Sequence, residues 1–261
     1  MLQAPDPRHA DRAVYQLRLA ADESEVLAAG RLRHQVFGAE CGAITPGPTG
    51  IDRDGYDPFC DHLIVWHSAH PGAAEQPVAT YRLLPPHAND LMPRAHGLYS
   101  HTEFDLSALE PLLDRTVEAG RACVHPDHRS ATPISLLWGG IARYLTLTGY
   151  RYLVGCAGVP IAGGGADAAA FARLVADRHP APAQLRCWPR TPFRYREIDP
   201  APRPVIPPLL RGYLRLGAVV CAEPALDTDY GTADFLVLLD LQGADPRYLR
   251  HFLGEAAKAG R

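Results

Sequence analysis

Only two methionines, no C-x-x-C pair and no long apolar run occur in this chain of 261 residues. The longest apolar stretches fall well short of the roughly 18–20 residues that a membrane-spanning helix needs. The opening segment, MLQAPDPRHADR, has no apolar core of the kind a secretion signal requires. The six cysteines (Cys41, Cys60, Cys123, Cys156, Cys187 and Cys221) lie far apart, which suits reduced thiols in a cytoplasm better than a disulfide frame or a zinc site. The net charge is −3, so the basic excess of a general nucleic-acid binder is missing. The glycine run AGGGAD at 162–167 lacks the G-x-G-x-x-G spacing of a dinucleotide loop. No internal repeat and no shift in composition marks a second domain. A polar tail with two prolines, expected to be disordered, covers 1–12, and one domain is expected over 13–261.

What is present is a mixed pattern of strands and helices, punctuated by 25 prolines and 23 glycines. AVYQLRLAA alternates as a strand. DESEVLAAGRLRHQVFGAE starts with an acidic cap and continues as a helix. A Gly-, Pro- and Asp-rich loop follows, and HLIVWHS with PVATYRLLPP reads as an antiparallel strand pair. Residues 86–115 read as a loop with short helical pieces. VEAGRACVH is a strand, PISLLWGGIARYLTLTGY a helix with Ile134, Leu137, Ile141 and Leu145 on one face, and RYLVGCAGV a strand. The unit over 117–157 is expected to be a parallel crossover. A short helix (DAAAFARLVADRH), an extended proline-rich stretch (180–210), a helix and turn (LLRGYLRLGAVVC), a strand (ADFLVLLDL) and a closing helix (DPRYLRHFLGEAAKAG) complete the chain. The fold class is α/β, a single mixed and mostly antiparallel twisted sheet flanked by helices.

One stretch is at odds with its own strand. TVEAGRACVHPDHRS, residues 116–130, places Glu118 and Arg121 inside a strand that should be buried. Residues three apart on a regular strand point to opposite faces, and Gly120 between them could permit a bulge that re-aims them. Arg82 interrupts VATYRLLP in the same way. It needs a partner, Glu118 or an aspartate of the 52–57 loop, unless it lies at a strand edge in water. Asp52, Asp54 and Asp57 suggest a calcium loop, but the twelfth position is Leu63 where such a loop needs a glutamate, so no metal is expected. Asx-turns explain these aspartates equally well on their residues alone.

VHPDHRS between a strand and an amphipathic helix resembles the core motif of the GCN5-related N-acyltransferases, whose helix N-terminus holds the donor's pyrophosphate. Here the loop reads Arg129-Ser130-Ala131-Thr132-Pro133-Ile134, without the family's glycines and with a proline that removes a donor. RLRHQVFGAE, DGYDPFCDHLIV, VATYRLLP, GLYSHTEFDL, VEAGRACVHPDHRS, LLWGGIARYL and PPLLRGYLRLGAVVCAEPALDTDYGTADFLVLL, in that order, resemble the ornithine-lipid-type, hemolysin-like acyltransferases. More distantly they resemble acyl-homoserine-lactone synthases.

The resemblance implies acyl transfer from a thioester, on acyl carrier protein or coenzyme A, to the amine of an amino acid such as ornithine. No bound cofactor is implied. It implies Glu118 as general base and Arg121 as a catalytic-site residue that fixes loop carboxylates or steers a substrate carboxylate. The two could equally be a plain ion pair. Arg33 and Phe37, four apart on a helix face, fall at the acyl-donor site. Asp54 and Asp57 order their loop and meet the cationic acceptor. Arg82, Glu103 and Asp105 contact substrate or the carrier arm, and Arg129 stands at the pyrophosphate loop. Backbone N–H groups of Cys123, Val124 and His125 are candidates for polarising the thioester carbonyl. Tyr230 is a candidate acid for the leaving thiolate. Direct attack by an amine needs no enzyme thiol. Two rival readings stand beside this one, a lactone-type signal synthase and a non-catalytic domain that only binds acyl thioesters. Arg143, Arg151, Arg211 and Arg215 suggest a basic rim for a carrier protein. Residues 204–220 suggest an amphipathic patch for the inner membrane surface.

Overall fold

The computed structural model describes residues 14–86, 97–244 and 247. The tail expected at 1–12 and, apart from Arg247, the closing helix expected from 245 onward lie outside them. Strand β1 (Val14–Leu19) leads to α1 (Glu23–Arg33). Asp22 caps α1, accepting from the backbone of Ser24 and Glu25 at 2.8 and 3.1 Å. The helix expected to continue through Glu40 instead loosens into a π-helical turn over His34–Glu40. Strands β2 (Asp61–Ser68) and β3 (Gln76–Leu84) form the expected antiparallel pair. A two-residue β4 (Phe104–Asp105) and a run of 3₁₀ turns precede β5 (Thr116–Val124). Then come α2 (Ala131–Thr148), β6 (Tyr152–Pro160), α3 (Ala166–Arg178), β7 (Trp188–Pro189), α4 (Pro208–Leu216), β8 (Val219–Val220), β9 (Ala225–Asp227) and β10 (Thr232–Asp240).

Eight strands make one sheet in the order β1-β2-β3-β5-β6-β10-β8, with β9 also on β10; β4 and β7 pair separately. Every pairing in the large sheet is antiparallel except β5 with β6, which α2 joins as a parallel crossover. Strand periodicity sorts the core into two layers. Leu83, Val117, Leu153 and Val237 face α2, α3 and α4, whereas Leu84, Val154, Leu236 and Leu238 face Leu98, Phe104 and Leu109 of the loop region. On α2, Leu137, Ile141 and Leu145 are buried and Ile134 is partly buried, as their spacing predicts. The stripe buried by α1 runs through Ala29, Leu32 and Arg33, so a guanidinium lies inside the protein.

Two irregularities make room for a site. The β3–β5 register jumps between Thr80↔Cys123 and Arg82↔Gly120, so Arg121 and Ala122 together oppose Tyr81. This is the expected bulge, but its left-handed residue is Arg121 (φ 54°) and not Gly120. Among the described residues it is the one non-glycine with positive φ, a conformation that costs on the order of 1–3 kcal/mol. Beyond it, β5 and β6 stay paired only over Thr116–Glu118 with Tyr152–Val154. Further along they part and leave a cleft.

Candidate active site

Beneath the cleft lies a buried lattice of alternating charge. Arg33 Nη2 donates to Asp57 Oδ1 and to the Asp52 carbonyl, both at 2.6 Å, and its Nε lies 3.1 Å from Asp52 Oδ1. Arg82 Nη1 lies 2.7 Å from Asp54 Oδ1 and 3.1 Å from Asp57 Oδ2. Arg121 reaches Asp54 Oδ2 at 3.2 Å and Asp52 Oδ1 at 3.4 Å. The three guanidiniums and three carboxylates therefore balance within one cluster. Burial pushes Asp54 upward, but Arg82 and Arg121 outweigh it and hold the carboxyl at about 2. The partner of Arg82 is thus the loop and not Glu118. His62 is a structural member too, buried with Nε2 3.2 Å from the Asp57 carbonyl. Removing one partner strands the others, so Asp57→Ala is expected to lose about 3–5 kcal/mol of stability, read by urea unfolding. A loss below about 1 kcal/mol would mean that the lattice does not hold the loop.

The strained Arg121 is also clasped from above. Its guanidinium carbon lies 5.1 Å from the ring centroids of both Tyr99 and Tyr230. Tyr230 in turn meets Phe37 edge-on at 5.8 Å and donates its hydroxyl to Asp52 Oδ2 at 3.3 Å. Carboxylates on one side and aromatic faces on the other hold the bulge in place.

Glu118 has other partners. Its Oε2 accepts from the Tyr99 N–H at 2.6 Å, and its Oε1 from the Ser100 N–H at 2.7 Å and from the Ser100 hydroxyl. Burial raises its affinity for a proton, and these donors oppose that rise. Among the described residues these three bonds leave Oε2 with one lone pair unused. Glu118 and Arg121 are therefore not an ion pair.

Glu118 and Arg121 both line a cavity of about 760 Å³ that opens between β5 and β6. Ala119, Gly120 and Ala122 of β5 face Cys156, Ala157 and Gly158 of β6 across it. Phe37, Leu84, Ile161, Leu209 and Leu210 supply apolar wall, and Arg82 and Tyr230 also line it. At one side Glu103 meets Asp227 and Asp234, neither foreseen from the sequence, with carboxylate oxygens within 4.8 Å of one another. Burial, then the two aspartates, push Glu103 up to about 9. Burial also raises Asp234 to about 6, against its bond from Thr232. The clue to Asp234 was a carboxylate next to the apolar run FLVLL, in a strand that must be buried.

Several expected site residues lie elsewhere. Arg33 belongs to the buried lattice and Asp54 and Asp57 spend their charge there; none of the three lines the cavity. Asp105 is exposed and accepts from the Ser107 N–H at 3.0 Å. The His125 N–H donates to the Val78 carbonyl at 2.8 Å, so it is committed to β3, and Cys123 and Val124 pair with Thr80 and Ala79. The backbone that lines the cleft is Ala119–Ala122 instead. Arg129 lies on the surface, bound to Glu40 at 2.6 Å. Of the basic rim, Arg151 is taken by Asp240 at 2.6 and 2.8 Å, while Arg143, Arg211 and Arg215 are exposed. In the patch at 204–220, Leu210 and Leu216 pack inward, because α4 closes over the sheet.

A bulged strand that parts from its parallel neighbour beside a cleft is the arrangement of a GNAT-type N-acyltransferase, and residues 32–139 match the family model for the acetyltransferase (GNAT) domain. The chain is 34% identical to an L-ornithine N(alpha)-acyltransferase of Brucella abortus, over 92% of this chain and 89% of that protein. It is also 34% identical to an L-ornithine N(alpha)-acyltransferase of Rhizobium meliloti, over 94% and 86%. This chain belongs to the L-ornithine N(alpha)-acyltransferase family. Among solved structures, a CoA-dependent acyl-homoserine lactone synthase with SAM and isopentyl-CoA superposes with a TM-score of 0.53, covering 95% of this chain and 99% of that one. At 15% identity this likeness is one of fold alone.

Proposed function

We propose that this enzyme moves a fatty acyl group from a thioester to the α-amine of ornithine, the first amide of an amino-acid lipid. The observation that carries this reading is the cavity itself, which joins an apolar wall to carboxylates in the cleft between β5 and β6. The amine nitrogen attacks the thioester carbonyl, a C–N bond forms, and the C–S bond breaks. One proton leaves the nitrogen and the thiolate departs as a thiol. Glu118, through the unused lone pair of Oε2, takes that proton directly or through water. In this reading the backbone N–H groups of the Arg121–Ala122 bulge, which lines the cavity, polarise the carbonyl oxygen. Arg121 and Arg82 act by holding the bulge and the loop under it. Tyr230 and Phe37 serve as aromatic wall for the donor arm. Burial keeps the Tyr230 phenol too firmly protonated to be an effective acid for a thiolate.

The test is twofold. Lipids from cells with and without the gene are compared by mass spectrometry, and the purified enzyme is incubated with ornithine and acyl donors. Loss of an ornithine lipid, with Nα-acylornithine formed in vitro, is expected. Unchanged lipids and no acylated ornithine would overturn the reading.

The donor in this reading is acyl carrier protein. The start of α2 has no glycine, the Ser130 side chain makes no cap bond and Pro133 lacks an N–H, which is a poor cradle for a pyrophosphate. Exposed Arg143, Arg211 and Arg215 suit an acidic carrier. We expect kcat/KM for the carrier-bound donor to exceed that for the coenzyme A donor by about tenfold or more, a gain in the range of electrostatic steering. Equal values would sink this choice. Among the described residues no helix is long and apolar enough to cross a membrane. We place the enzyme in the cytoplasm at the inner membrane surface. Leu209 lines the cavity on the same helix that exposes Arg211 and Arg215, which gives a lipid product a way out.

A further inference from the structure

Among the described residues the charges around the cavity do not balance, and the imbalance has one location. Arg82 and Arg121 are neutralised by the aspartates beneath them. Glu118 is satisfied by three donors. Glu103, Asp227 and Asp234 remain, with their oxygens gathered within 4.8 Å. Asp234, only 8% exposed, receives one hydroxyl from Thr232. Asp227 receives the N–H groups of Asp229 and Tyr230 on one oxygen. Among the described residues no backbone N–H, hydroxyl or guanidinium donates to Glu103: both of its carboxylate oxygens are buried, with the Asp234 carboxyl and the Cys156 thiol as their polar neighbours. The neighbouring Cys156 thiol gives its hydrogen to Ser100 at 3.3 Å. Yet Glu103 is one of the residues that line the cavity, its carboxyl set just behind the surface. A carboxylate inside a wall that already carries two others is costly unless it keeps a proton or a cation completes it, and a bound cation would let it ionise.

We infer that Glu103, Asp227 and Asp234 bind the side-chain ammonium of the acceptor, and so select a diamino acid over one with a neutral side chain. This rests on the acyltransfer to an amino acid proposed above and adds which part of the acceptor is read, and by which residues. An ammonium brings three N–H donors, one for each carboxylate. Its positive charge offsets the mutual repulsion that, together with burial, keeps Glu103 and Asp234 hard to ionise. A primary ammonium held by three acids is also unable to attack, since it has no lone pair. The other amine of the same molecule is left to react near Glu118. The cluster would thus set which nitrogen is acylated as well as which amino acid is accepted.

The test compares ornithine with norvaline, which has the same carbon chain without the terminal amine. Equilibrium binding is measured by calorimetry without donor, and kcat/KM with donor. The wild type is expected to prefer ornithine by about 10² or more, because each charge-assisted bond is worth a factor of about 10–10². In Asp234→Asn, and independently in the less buried Glu103→Gln, that preference is expected to fall at least tenfold. Equal binding of the two amino acids by the wild type would overturn the inference, as would an unchanged preference in both variants. Ornithine binding that requires added magnesium or calcium, and is lost in EDTA, would assign the cluster to a metal and also overturn it. An enzyme that acylates norvaline as well as ornithine would refute the selectivity while leaving acyl transfer to amino acids intact. An enzyme that acylates neither would refute the activity, and calorimetry would still decide the cation site.

Discussion

Glu118→Gln is expected to lower kcat by about 10²–10⁴, the range for losing a general base. It should also lower the melting temperature, which the sequence alone did not suggest. A glutamine has one acceptor oxygen and must turn its NH₂ toward the N–H of either Tyr99 or Ser100, setting donor against donor in a buried site. A fall in activity could therefore come from a disordered 98–102 turn and not from a missing base. Ser100→Ala separates the two. It removes one donor from the carboxylate and leaves the carboxylate itself, so the Glu118 pKa must rise. Because the base acts when ionised, the acid limb of the kcat profile should move to higher pH. A structural role would lower kcat without moving that limb. Wild-type-like turnover of Glu118→Gln across pH 7–9 would remove Glu118 from the mechanism.

Gly120→Leu is expected to abolish acyl transfer, by about 10²-fold or more in kcat/KM, while the fold survives. A Cβ at Gly120 meets nothing within 4 Å, and its backbone is not in the left-handed region, so the change itself is tolerated. The added side chain enters the cleft where the thioester must lie, and a displacement of about 1 Å there already costs about 10²-fold. Across the cleft, Gly155 should behave in the opposite way. Its Cβ would collide with the Ala119 carbonyl oxygen, so Gly155→Ala forces β5 and β6 apart and should act mainly on stability. Thermal unfolding beside steady-state kinetics checks both. Full activity in Gly120→Leu would mean that the donor does not lie between β5 and β6.

The chain's periodicities alone determined most of the elements. Alternation in β2, β3 and β10 and the apolar face of α2 reflect burial against neighbours that lie close in sequence, so the pattern is local and legible. The odd charges of β5 and β3 were equally visible, because a carboxylate or guanidinium in a buried strand is costly enough to demand a reason. Their partners were not visible. Arg82 meets residues 25 and 28 positions away, and Glu118 meets backbone N–H groups, which carry no side-chain signature at all. The bulge was foreseeable from Gly120, but which residue takes the strained conformation depended on Tyr99, Tyr230 and the aspartates closing around Arg121. The clearest gap is the carboxylate cluster. Glu103 follows the 3₁₀ turn Tyr99–Thr102, and Asp227 and Asp234, on the paired strands β9 and β10, lie more than a hundred residues further on. Each taken singly is an ordinary acid in a loop or at a strand end. Only the meeting of those segments beside the cleft between β5 and β6 brings their carboxyl groups together, and only there does their mutual repulsion raise the proton affinity of Glu103 and Asp234.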